Sequence, residues 1–189
     1  MSYKQIRTST SHPLQIAEVS TGVSSGLIGI TFCPGKHGGS LRGYRWERNL
    51  DTDLDVIVNW GANAVVTLIE DHEFIALGVP DLGKMIIARG IDWHHLPIVD
   101  VSTPDARFNE PWKTVGPRLI AELASGGKVL VHCRGGLGRA GMVAACLLVE
   151  AGVASGEAIR RVRAVRSGAI ETVDQEIFVD KFAHGVHKN

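Results

Sequence analysis

The chain has 189 residues and a formal net charge of zero, with 20 basic side chains against 20 acidic ones. That length suits one domain with one sizeable core, and the charge balance excludes bulk attraction to nucleic acid or acidic membranes. Three cysteines, Cys33, Cys133 and Cys146, make no disulfide framework, and no apolar run is long enough for a membrane span.

Residues 1–11 are polar and rich in Ser and Thr, so residues 1–12 read as a flexible arm without the apolar stretch of a secretory signal. Residues 14–19 alternate apolar and polar, the period of a half-buried strand. Residues 27–32 predict a second strand, and residues 33–39 read as a loop by composition. Cys33 in that loop reads as a small packed residue at a strand end or as a redox partner for a second thiol. Asn49 or Asp51 caps a helix running to Trp60, with Leu54, Ile57 and Val58 inward. Residues 64–69 are continuously apolar, which predicts a strand covered on both faces. The acidic cluster at 70–73 reads as the cap of a short helix rather than a metal site. Residues 79–81 start another helix, with Leu82, Met85 and Ile86 inward and Gly90 at its end. Residues 91–98 form a strand, with His94 and His95 as surface and core edge. Residues 99–105 are a loop with two carboxylates, Asp100 and Asp105, the second well suited to cap a helix. The helix that follows, 108–125, carries Pro111 near its start, and Pro117 predicts a kink or break.

An apolar run at 129–131 then enters His132 and Cys133, and a helical apolar pattern leaves at 142–150, with Cys146 in its core. Between Cys133 and Arg139 lie Arg134, Gly135, Gly136, Leu137 and Gly138. This is a strand, a tight loop and a helix N-terminus, with a thiol where the loop begins. The N–H groups of such a loop converge on one point, and the helix dipole favours negative charge there. The same field favours thiolate at Cys133. Arg139 adds a planar fork for two oxygens of a phosphate. Ser155 begins a helix carrying Arg160, Arg161, Arg163 and Arg166, read as a solvated face or as a substrate-side or partner-side patch. Thr172 or Asp174 begins the last helix, with Ile177, Phe178 and Phe182 as its apolar stripe. The alternation predicts a single α/β domain over 1–189, its central, mostly parallel sheet flanked by helices on both faces. Cys133 then falls beyond a strand C-terminus, where such sheets bind ligands.

His132-Cys133-x5-Arg139, spelled HCRGGLGRAG, resembles the signature of the cysteine-dependent protein tyrosine and dual-specificity phosphatases, in particular the kinase-associated phosphatase-like branch and its bacterial relatives. The resemblance implies Cys133 as nucleophile and Arg139 with residues 134–138 and Ala140 around the phosphate. It implies His132 as a support of the loop. It implies no metal or other cofactor, and a phosphorylated protein or small phosphomonoester as substrate. Residues 97–105 resemble the family's acid loop, which favours Asp100 over Asp105 as proton donor to the leaving oxygen. Residues 165–176 resemble a segment whose Gln places the hydrolytic water, and Gln175 matches it. The likeness runs from about residue 50 onward. One departure stands out: the family usually has Ser or Thr after the Arg, and here Ala140 occupies that position. A thiolate enzyme suits a reducing cytoplasm. Two other readings stay open: a rhodanese-like sulfurtransferase, which needs no upstream acid, and a phosphate-binding relative without turnover. Oligomeric state and the choice among phosphotyrosine, phosphoserine and phosphothreonine are not legible in the chain.

Overall fold

Strands covered on both faces need apolar side chains at every position, and the apolar runs supply them. In the computed structural model, which describes residues 5–22, 24–40 and 43–186, these runs form the middle of a five-stranded sheet. β3 (Leu27–Phe32), β8 (Lys128–Cys133), β6 (Ala64–Thr67) and β7 (Asp92–His95) lie parallel in that order. β2 (Ala17–Ser20) joins β3 antiparallel at the edge.

Alternate side chains enter two cores. Val129, Val131 and Cys133 of β8 face one core and Leu130 faces the other. Helices α1 (Leu50–Trp60), α2 (Asp71–Ala76) and α3 (Leu82–Ile87) belong to the second core, which also takes Leu54, Ile57, Leu82 and Ile86. The first core lies under α4 (Ala106–Ala124), α5 (Gly138–Glu150), α6 (Ser155–Val165) and α7 (Val173–Val186). Every residue of α5 from Gly138 to Val149 is buried, as an all-round apolar helix requires. The expected architecture, a mostly parallel sheet with helices on both faces, is the one observed.

Several local expectations need correction. The arm expected over residues 1–12 holds a strand, β1 (Gln5–Arg7), while residues 1–4 lie outside the described residues. β1 pairs with β5 (Tyr44–Glu47), which also pairs with β4 (His37–Gly39) inside the expected loop. The Arg7 guanidinium lies over the Tyr44 ring, 3.8 Å from its centroid, a cation–π contact that two short strands gain only by pairing. The strand expected at 14–19 begins only at Ala17. Val58 and Ile177 point outward rather than inward, and Val179 takes the buried place on α7. α4 runs unbroken through Pro111 and Pro117. Both prolines lie on its exposed face, where water can satisfy the carbonyls they leave unpaired.

Candidate active site

β8 ends at Cys133 and α5 begins at Gly138, so the four residues between must reverse direction over the sheet's C-terminal edge. Gly136 makes this turn at φ 69°, where a Cβ would lie 2.5 Å from the Phe32 nitrogen, so only glycine fits. Its N–H donates to the Cys133 sulfur at 3.2 Å. The loop carbonyls point outward, each to a donor. Arg134 O accepts from Lys36 Nζ (3.0 Å) and Cys33 N (3.4 Å). Gly136 O accepts from Arg166 Nε (3.0 Å), and Gly135 O from its Nη2 (3.4 Å). Because C=O and N–H of one peptide unit point oppositely, outward carbonyls turn the intervening N–H groups inward. That is the anion cradle expected at a helix N-terminus. Arg134 and Gly135 are exposed at its mouth.

Arg139, on the first turn of α5, is almost wholly buried. Glu73 of α2 grips it through two bonds, Nη1 to Oε2 (2.6 Å) and Nη2 to Oε1 (3.0 Å). Ile98 O accepts from Nη1 at 3.0 Å, and Asp100 Oδ1 lies 2.9 Å from Nη2. Nε has no hydrogen-bond partner among the described residues. The fork therefore retains one unused donor. Burial alone would raise the Glu73 pKa, but its hydrogen bonds from Arg139 and the Glu70 backbone outweigh that and hold it below the usual carboxylate range. Burial likewise opposes the charge on Arg139, and Glu73, Cys133 and Asp100 together outweigh it.

Asp100 and Asp105 part company here. Asp105 caps α4, accepting from Arg107 N at 2.9 Å, and holds the Arg107 guanidinium at 2.8 Å. Those bonds keep its pKa low, which unsuits it for donating a proton. Asp100 instead meets Arg139. The next residue, Val101, is a β-branched side chain at φ 60°, and Ile170 beside the loop shares that value. Such strain costs about 1–3 kcal/mol each and clusters at functional sites.

Gln175 is buried beside Gly138, at 3.0 Å from where its Cβ would stand. Its Oε1 accepts from Glu171 N (2.9 Å), and its Nε2 donates to Ser102 O (3.2 Å). The amide thus ties the acid loop to the start of α7, with one hydrogen of Nε2 to spare. The Glu171 carboxylate accepts from Gly138 N at 2.8 Å, at the cradle itself. Ala140 is fully buried behind Arg139 in sequence.

His132 is buried, and burial pushes its pKa down to about 3. Its Nε2 is 2.7 Å from Thr67 Oγ1, which accepts from Trp93 Nε1 at 2.9 Å. Cys33 packs at the end of β3, and Cys146 packs within α5; burial pushes both thiols well up.

Sequence reasoning singled out Cys133, Arg139, Asp100 and Gln175, and the fold brings all four to one place. It missed Glu73, Thr67, Trp93, Lys36, Arg166 and Glu171. Glu73 was read only as part of a helix cap, a role Glu70 and Glu73 do fill through a reciprocal capping box. Arg166 was read only within the basic run.

A thiol over a ring of N–H groups, with a buried arginine fork and a carboxyl in reach, defines a cysteine-based phosphatase. Comparison with known proteins agrees. Residues 47–179 match the family model described as "Swiss Army Knife protein, DSP-PTPase phosphatase domain". Cyclin-dependent kinase inhibitor 3 of Rattus norvegicus is 33% identical over 175 residues, covering 90% of this chain and 79% of that protein. Protein tyrosine phosphatase type IVA 3 of Homo sapiens is 32% identical over 133 residues, covering 70% of this chain and 71% of its own. A crystal structure of kinase associated phosphatase, with its catalytic-site cysteine replaced by serine, superposes with a TM-score of 0.79 at 29% identity, covering 93% of this chain and 97% of that one. The chain belongs to the dual-specificity and tyrosine phosphatase family of cysteine-based hydrolases. The sulfurtransferase reading falls with that membership.

Proposed function

We propose that this protein hydrolyses phosphomonoesters on protein substrates, phosphotyrosine first and phosphoserine or phosphothreonine with it, through a phosphocysteine at Cys133. The observation that carries the reading is the Arg139 fork, its Nε unpaired among the described residues and its charge coupled to Cys133. A phosphoryl group placed there meets Nε, Nη2 and the inward N–H groups, with Cys133 beneath it. Binding energy from the fork is already organised, because Glu73 and Ile98 hold the guanidinium before substrate arrives.

On binding, the phosphate takes over Arg139 Nη2 and releases Asp100 from its ion pair, and the freed carboxylate takes up a proton from solvent. In the first step the Cys133 thiolate attacks phosphorus, the ester P–O bond breaks, and Asp100 gives that proton to the departing oxygen. In the second step water attacks the phosphocysteine, Asp100 accepts its proton, and the S–P bond breaks to return thiolate and phosphate. Gln175 Nε2 and the Glu171 carboxylate flank that water. His132, neutral at any working pH, holds the loop and moves no proton. The name of protein tyrosine phosphatase type IVA 3 supports a protein substrate. Three free thiols suit a reducing compartment such as cytoplasm.

The test is hydrolysis of an aryl phosphate and of phosphotyrosine, phosphoserine and phosphothreonine peptides by the purified chain. Cys133→Ser is expected to retain phosphopeptide binding and lose all turnover. Phosphopeptide binding without phosphate release by the unaltered chain would instead assign it as a phosphate-binding relative.

A further inference from the structure

Lys36 is a buried cation that the two steps above leave unused. It follows Gly35 in the β3–β4 connection, outside the matched residues 47–179, and is 7% exposed. Its place is built. Arg48 and Asp53, both fully buried, pair through Nε to Oδ2 (2.7 Å) and Nη2 to Oδ1 (2.8 Å). Asp53 Oδ2 also accepts from Gly35 N at 2.8 Å, and Arg48 N donates to Lys36 O at 3.4 Å. The backbone is therefore pinned on both sides of Lys36. Its ammonium stands 4.4 Å from the Phe32 ring centroid and 4.7 Å from that of Trp46. Its hydrogen bond goes to the signature loop, at Arg134 O, 3.0 Å away.

Two effects follow from that placement. Holding the Arg134 carbonyl outward turns the Gly135 N–H of the same peptide unit inward. A positive charge in this desolvated wall also lowers the energy of an anion at Cys133. The ionisable groups facing Lys36 are Cys33 and Cys133, which favour its charge, and Arg48 and Arg134, which oppose it; Asp53 balances Arg48. Burial pushes the ammonium down to about 8, so it is charged at neutral pH.

We infer that Lys36 is a positioning residue of the signature loop: it aims the Gly135 N–H into the phosphate cradle and supplies the fixed charge that stabilises the Cys133 thiolate. The inference rests on Cys133 as nucleophile, and its test is independent of turnover. Alkylation of Cys133 by neutral iodoacetamide, followed by peptide mass spectrometry, gives the thiol's titration midpoint. Lys36→Met is expected to raise that midpoint by about one pH unit, slowing alkylation roughly tenfold on the acid side. Lys36→Arg, which keeps the charge, is expected to stay close to the unaltered protein. An unchanged midpoint in folded Lys36→Met overturns the inference, and an equal rise in both variants overturns its electrostatic part. If Lys36→Met does not fold, the reciprocal measurement decides. The Lys36 amine, followed by NMR, is expected to titrate lower in Cys133→Ser than in the unaltered protein, and an identical midpoint overturns the inference. Failure of the phosphatase reading shows separately, as absent aryl phosphate hydrolysis by the unaltered protein.

Discussion

Replacing Glu73 by Gln takes from the Arg139 guanidinium its buried counter-charge and leaves it only the half-exposed Asp100. Breaking a buried pair from one side costs about 3–5 kcal/mol, which urea unfolding of Glu73→Gln measures. The fork also loses its fixed orientation, and kcat/KM is expected to fall by about ten- to a hundredfold. The same residue gives a pH dependence whose sign is set. The folded-state pKa of Glu73 is depressed, so its stabilisation is complete above the unfolded carboxylate value and is lost as pH falls through the lower, folded one. His132 adds to this: its pKa falls to about 3 from 6.5, so the unfolded chain takes up a proton over that window and the folded chain does not. Stability is therefore expected to decline steadily from neutral pH into acid, with a shallower decline in Glu73→Gln. The sequence revealed Cys133 and Arg139 because five intervening residues fix their relation. Glu73 meets Arg139 across 66 residues, and Trp93 meets Thr67 across 26. No local spacing encodes those contacts.

In the proposed mechanism the loop between β7 and α4 has to move. Asp100, paired with Arg139, would leave it to face the ester oxygen. Asp100→Asn is expected to slow esters with poor leaving groups by about a hundredfold or more, and nitrophenyl esters much less, because only the former need a proton in the transition state. Steady-state rates across a series of aryl phosphates give this directly. Asp105→Ala, which removes the cap of α4, is expected to lower stability by about 1 kcal/mol and leave that slope unchanged. The helices themselves were legible, because periodicity and caps are local: Asn49 caps α1, as Thr52 N donating to its side chain at 2.8 Å shows. Pro117 misled, since a proline's effect depends on which face of the helix meets water. Ile177 misled for a related reason. Gln175, a polar residue, occupies the buried stripe of α7 with Val179, and turns Ile177 outward.

At the scale of the molecule, the chain after residue 50 follows the alternation of strand and helix that its sequence displays. Before that point it does not, because β1 and β4 have three residues each and show no period. They exist only through a partner elsewhere, since both pair with β5, and the Arg48 guanidinium ties the N-terminal segment down at His12 O, 2.8 Å away. Removing residues 1–12 is therefore expected to lower stability by about 1–3 kcal/mol through that lost charged hydrogen bond alone, seen as a lower Tm in calorimetry. Signature loop, acid loop and α7 all converge above Cys133, and in the proposed mechanism phosphorus passes through its sulfur. Ala140 offers no hydroxyl to the departing thiolate; a hydrogen bond to a charged group is worth about 1.5–3 kcal/mol, so the second step is expected to be slow and the intermediate to accumulate. Rapid acid quench of an aryl phosphate reaction, followed by mass spectrometry of the intact chain and its peptides, tests this most directly. A burst of phenol, one phosphoryl group on Cys133, and a smaller trapped fraction with faster turnover in Ala140→Ser are expected. A phosphoryl group on another residue, or hydrolysis retained by Cys133→Ser, would contradict it.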